Sequence, residues 1–157
     1  MHPYFARGLS FGPIVMGRLI KALPYEEHDL ITEEGRFSPR EVVAHLAEWE
    51  PIFLERIRQA VEQPGSEIEV FDEGEMAAAN EYYRQDIFEN LTKWMGARQK
   101  TVEYVSSLTS EDLQKFANHP QLGELSAFAI ASMLVSHDMY HLEQISSYLG
   151  ERVSPTL

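Results

Sequence analysis

LSAFAIASMLVSHDMYHLEQISSYL, residues 125–149, has the length and period of one amphipathic helix. Ile130, Met133, Leu134, His137, Tyr140, His141, Gln144, Ile145 and Tyr148 recur at spacings of three and four, the stripe by which a helix faces a core. Gly150 follows as a natural C′ residue. Two histidines therefore lie on the core-facing side of the helix.

Working outward, three further segments have helical length. Ser38-Pro39-Arg40-Glu41 places an N-cap serine, an N1 proline and an N3 glutamate in capping-box register. Val42, His45, Leu46, Trp49, Ile52 and Phe53 then trace one face, and a bend or irregular turn is expected at Pro51 before the helix resumes towards Glu62 and ends near Pro64-Gly65. Asp86 to Glu89 repeats the capping logic and opens a helix to about Ser106, with Phe88, Leu91, Met95, Val102 and Val105 as expected core positions. The first helix is placed around Phe11 to Leu23, using Ile14, Leu19, Ile20 and Leu23, with Pro24 ending it.

Between the second and third long helices, the acidic stretch Ser66 to Gly74 reads as a loop and Glu75 to Tyr83 as a short helix. Thr109 to Asp112 caps a short turn, and Ala117 to Gly123 reads as a loop. No run shows the alternation of a half-buried strand. The expected fold is all-α, an up-down four-helix bundle with a longer crossover containing short helical pieces, in one domain over residues 1–157.

With 157 residues, 44% of them hydrophobic, the chain can fill one core. Twenty-five acidic against 13 basic residues give a net charge of −12, which argues against nucleic acid or an anionic membrane as partner. The absence of cysteine excludes thiolate nucleophiles and Cys-ligated metals, leaving His, Asp and Glu as the strong ligands. The first 19 residues lack the pattern of a secretory leader, and no apolar run is long enough to cross a bilayer, so the expected location is cytoplasmic.

His137 and His141 are four apart, so their imidazoles project side by side and can reach one ion. His45, on the core face of the second helix, is the natural third ligand. Taken singly, each histidine fits an ordinary core or surface role. Together, three buried imidazoles would leave up to six ring nitrogens seeking partners, and a metal satisfies three of them. The zincin motif H-E-x-x-H does not fit, because Asp138 stands where its glutamate would be and no histidine follows His141. Glu48, Trp49 and Gln144 are candidates to line the cavity, Gln144 as a polar neighbour of His141. Asp138, about 100° around the helix from His137, is expected to be solvated or orienting. His2, His28 and His119 receive no role, Arg84 and Arg98 are not singled out, and the acidic run around Glu67 to Glu75 reads as solvated.

SPREVVAHLAEWE (38–50), RQKTVEYVSSLTSEDL (98–113) and above all SHDMYHLEQI (136–145) make the chain resemble the DinB-like metal-binding four-helix bundles. That family includes metal-dependent bacterial thiol transferases and maleylpyruvate isomerases. The resemblance covers nearly the whole chain and implies a metal site of His45, His137 and His141, occupied by zinc or nickel, and a homodimer. Three neutral histidines leave coordination positions open, as in catalytic zinc sites. The expected function is therefore that of a metal-dependent enzyme, with transfer of a low-molecular-weight thiol to an electrophile as the leading reaction. The alternatives are a non-catalytic metal-binding stress or interaction homodimer, whose fourth position would be closed by the protein, and a metal-free dimer module.

Overall fold

The computed structural model of the protein describes residues 3–150. His2 and the last seven residues lie outside that range, so the expected C′ role of Gly150 turns on residues not described. Five α-helices follow in order: α1 (Pro3–Ala22), α2 (Pro39–Glu62), α3 (Glu73–Ala79), α4 (Ile87–Ser107) and α5 (Ala127–Gly150). Two four-residue strands, β1 (Phe116–His119) and β2 (Gly123–Ser126), pair antiparallel between α4 and α5.

The local reasons are legible in the termini. At α2 the Ser38 side chain caps the backbone N–H of Glu41, and the Glu41 side chain accepts from the Ser38 backbone N–H at 2.9 Å, completing the capping box with Pro39 at the first position. Asp86 caps α4 through the backbone N–H groups of Phe88 and Glu89. Asp72 caps α3 through that of Glu75.

The four long helices form the bundle. Helices α1 and α2 each pack against both α4 and α5, so consecutive α1 and α2 occupy opposite corners, as do α4 and α5. Two apolar clusters fill it. One gathers Leu9, Phe53, Ile57, Val105, Ile130 and Leu134; the other gathers Met16, Ile20, Val42, Leu46, Leu91, Trp94 and Ile145. Between them along every helix lies a polar level: Gly12 and Pro13 in α1, His45 and Glu50 in α2, Arg98 and Thr101 in α4, His137, Asp138 and His141 in α5.

The structure corrects several sequence expectations. α1 begins at Pro3 rather than Phe11, and Ile14, expected inward, is exposed. α2 runs unbroken through Pro51 as far as Glu62, so the expected irregular turn does not form. The short helix lies at Glu73–Ala79, followed by a single 3₁₀ turn at Tyr82–Arg84. Phe88 and Met95 are exposed, and α4 instead buries Ile87, Leu91, Trp94, Arg98, Thr101 and Val105. The stretch expected to be a loop forms the hairpin, and β1 also meets the crossover through a parallel bridge between Glu67 and Asn118. Among the described residues no helix is long and apolar enough to cross a membrane.

Candidate metal centre

His45 reaches the polar level from the second turn of α2, and His137 and His141 reach it from successive turns of α5. His45 is fully buried, His141 is buried and His137 is half-buried. Their Nε2 atoms converge, 2.9 Å from His45 to His137 and 3.2 Å from His137 to His141. Three nitrogens bound tetrahedrally at 2.0–2.1 Å from one ion stand about 3.3 Å apart. The cluster therefore has the size of a three-histidine coordination set. Hydrogen bonding satisfies it poorly, because His137 Nε2 faces two other ring nitrogens and a single N–H can serve only one of them.

Burial and the neighbouring imidazoles push the pKa of His45 down to about 2. Burial, His141 and Arg98 push that of His137 to about 3, and burial pushes that of His141 to about 4. All three rings are thus neutral near pH 7, the form in which imidazole donates a lone pair to a metal.

Gln144 fixes one ring. Its Nε2 donates to the Phe37 carbonyl at 2.9 Å, which turns its Oε1 toward His141 Nδ1 at 3.1 Å. A carbonyl only accepts, so the amide orientation follows, Nδ1 of His141 carries the proton, and Nε2 presents its lone pair to the cluster. The Nδ1 atoms of His45 and His137 are buried without a protein partner.

Of the other sequence candidates, Trp49 lies in the site, its ring 5.6 Å from that of His45. Glu48 turns aside, its Oε1 accepting from Asn80 Nδ2 at 2.7 Å. Tyr82 is buried against His45 and Phe37, and Tyr140 is exposed beside His141. Tyr83 and Arg84 stack on one another at the surface, away from the histidines. Tyr148, buried, donates to the Leu30 carbonyl. His28, given no role from the sequence, lies in the turn after α1 and is buried between Tyr25 and Phe88.

Asp138 is buried rather than solvated, and so is Arg98, which the sequence did not single out. Arg98 is only 2% exposed and forms ion pairs with Glu50 and Asp138, both buried. Glu50 also accepts from Trp94 Nε1 at 3.0 Å and from Thr101 Oγ1 at 2.6 Å, and Arg98 Nη1 donates to the Leu9 carbonyl at 2.6 Å. All four bundle helices meet in this network. The signal in the sequence was the polar interruption of the α4 stripe by Arg98 and Thr101.

Two cavities open on the histidines. One of about 520 Å³ is lined by Trp49, Phe53, Arg56, Met133 and His137, with His119 from the hairpin. The other, of about 460 Å³, is lined by Arg36, Phe37, Tyr140, His141, Gln144 and, again, His137. Glu73, the first residue of α3, borders both, which places the segment read as a solvated acidic loop over the site. Among the described residues no carboxylate joins the three histidines as a further ligand.

Three solved structures are similar to the whole of this architecture. YfiT from Bacillus subtilis, a probable metal-dependent hydrolase with an unusual four-helix bundle topology, aligns with a TM-score of 0.83 at 16% identity over 94% of this chain and 86% of its own. A DinB-like protein, YjoA, also from Bacillus subtilis, aligns with a TM-score of 0.65 at 14% identity over 98% of this chain and 94% of its own. A mycothiol-dependent maleylpyruvate isomerase aligns with a TM-score of 0.72 at 10% identity over 90% of this chain and 59% of its own. At such identities the likeness establishes the fold. No curated protein matches the chain in sequence. The profile of the DinB superfamily matches residues 15–145, the span from the middle of α1 through both α5 histidines to Gln144 and Ile145, and the chain belongs to that superfamily.

Proposed function

We propose that His45, His137 and His141 hold one divalent metal ion, zinc or nickel, and that the protein is a metal-dependent enzyme acting on a small thiol and an electrophile. The observation that carries the reading is the convergence of three neutral Nε2 atoms at coordination spacing, with cavities on either side of His137. An ion held there would supply Lewis-acid activation, favouring the deprotonated form of a thiol or water that enters an open position. The chain's own residues do the rest. Gln144 orients His141, Trp49 and Phe53 wall the histidines on the α2 side, and the two cavities give separate approaches for two reactants.

The non-catalytic clasp predicts a fourth protein ligand, and among the described residues no further His, Asp or Glu joins the cluster, which favours the enzyme. The metal-dependent and mycothiol-dependent relatives are consistent with both parts of the reading. We also propose that the chain assembles as a homodimer, as the family resemblance implies.

The decisive measurement is metal content and turnover together. Purified protein is expected to carry one equivalent of zinc or nickel, which His137→Ala loses while remaining helical by circular dichroism. The loaded protein is expected to consume model electrophiles with bacillithiol, mycothiol or glutathione. Stoichiometric metal without turnover of any thiol would sink the transferase and leave a metal protein; no metal in either form would sink both.

A further inference from the structure

The larger of the two cavities holds a cation that no acid neutralises. Arg56 lies three turns beyond His45 on α2, and its guanidinium stacks over the rings of Trp49, at 5.5 Å, and Phe53, at 5.9 Å. Those rings in turn lie 5.6 Å from the ring of His45 and 5.7 Å from that of His137. One aromatic layer thus separates the guanidinium from the histidines. Arg56 Nη2 donates to the Glu69 carbonyl at 2.9 Å, while its buried Nε has no partner.

In a chain with 25 acidic residues, every other arginine near the site is matched by a carboxylate. Arg36 pairs with Glu33, and Arg98 pairs with Glu50 and Asp138. Among the described residues no carboxylate lies within 4 Å of Arg56. Half-burying a guanidinium without a counter-charge is costly, and burial pulls its pKa down. Backbone carbonyl and ring faces hold it in place but leave its charge for a ligand.

Across the cavity the hairpin adds a second donor. The backbone N–H of Gln121 donates to His119 Nδ1 at 3.2 Å, so in the neutral ring the proton sits on Nε2. Trp49, Phe53, Leu122 and Met133 give the cavity an apolar wall, beside the polar Gln121. Two acids also border the space. Asp72 is engaged in capping α3, and Glu73 stands at its edge toward the second cavity. Both disfavour a doubly charged ligand and leave a singly charged one admissible.

We propose that the electrophilic substrate is a small organic carboxylate with an apolar body, its carboxylate held by the Arg56 fork and its body lying over Trp49 and Phe53 with the reactive end toward His137. This assignment rests on the metal-enzyme reading for its chemistry, but the binding contact is made by the Arg56 guanidinium, with His119 as a second donor, and not by the metal.

Trp49 reports on the cavity by fluorescence. Full-length protein, metal-loaded and chelator-treated, is titrated with phenylacetate, with its uncharged match phenylacetamide, and with inorganic phosphate. Phenylacetate is expected to give a saturable change in both forms, and phenylacetamide at least about tenfold weaker binding, the worth of a charged hydrogen bond. Arg56→Gln is expected to lose the same factor with unchanged melting temperature and metal content. Arg56→Lys, which keeps the charge without the fork, should fall between and covers the case in which the glutamine variant does not fold. Equal binding of phenylacetamide, or unchanged binding by both variants, overturns the proposal. So does phosphate binding more tightly than phenylacetate, which would assign a phosphorylated ligand, and so does phenylacetate binding that needs the metal but not Arg56. Arg56-dependent binding in a protein that holds no metal would support the proposal while sinking the metal reading.

Discussion

Gln144 shows how one side chain can set the chemistry of a neighbour it does not replace. The amide is held at one end by the Phe37 carbonyl just before α2 and at the other by His141 Nδ1, so the loop backbone dictates the tautomer of the ring. Groups that hold a metal-bound histidine this way typically contribute 10–100-fold to metal affinity. Gln144→Ala is therefore expected to weaken zinc binding by about 10–100-fold in chelator competition, while Gln144→Glu, which still accepts from Nδ1 but no longer donates to the Phe37 carbonyl, retains part of it. Equal affinity in the wild type and in Gln144→Ala would show that His141 needs no orienting partner. The His137–His141 spacing and Gln144 were legible in the sequence because they repeat on one stripe. Arg56 was not, since a lone arginine two turns beyond Trp49 shows nothing of the ring faces it covers or the acids it lacks.

At the scale of elements, α1 is shaped to receive a charge. Pro13 has no N–H to give Leu9, the residue four before it, and the Leu9 carbonyl accepts from Arg98 instead. A Cβ on Gly12 would stand 2.1 Å from Asp138 Oδ2, so only glycine lets α1 come this close to the Arg98–Asp138 pair. Neither residue figures in the apolar spacing by which the first helix was placed. The α4 stripe was misread for the same reason: its inward face carries Arg98 and Thr101, so a search for apolar periodicity selected the exposed Phe88 and Met95. The hairpin escaped because four-residue strands are too short to display alternation, whereas the capping box of α2 is a local pattern and was read correctly. A buried ion network with one member removed leaves an uncompensated charge. Arg98→Met is thus expected to cost about 3–5 kcal/mol in urea unfolding. Combining Arg98→Met with Glu50→Gln and Asp138→Asn removes both stranded charges and should recover part of that loss. If the triple variant were less stable than the single, the hydrogen bonds that Glu50 accepts from Trp94 and Thr101 would outweigh the cost of its stranded charge.

Over the whole molecule, one polar level divides the core into two apolar clusters, with the ion network and the histidines side by side in it. The histidines make the fold without metal sensitive to acid. Their folded pKa values, about 2, 3 and 4, lie below the ordinary 6.5, so the unfolded chain takes up protons that the folded chain refuses. Stability is full above pH 6.5 and falls as the pH drops from there toward 4 and below. Asp138 works in the opposite sense, because burial raises its pKa, but it is one group against three. Chelator-treated protein should therefore show a melting temperature that falls steadily from pH 7 to 5. At pH 7, free zinc at 100 times Kd should add about 2.7 kcal/mol, or about 5–10 °C for a domain of this size. That gain should shrink with falling pH as protons compete for the ring nitrogens, and it should be absent from His137→Ala at any pH. A melting temperature flat from pH 7 to 5 in the chelated protein would mean that the three rings are not held neutral by burial, and the close approach of their Nε2 atoms would then need another cause.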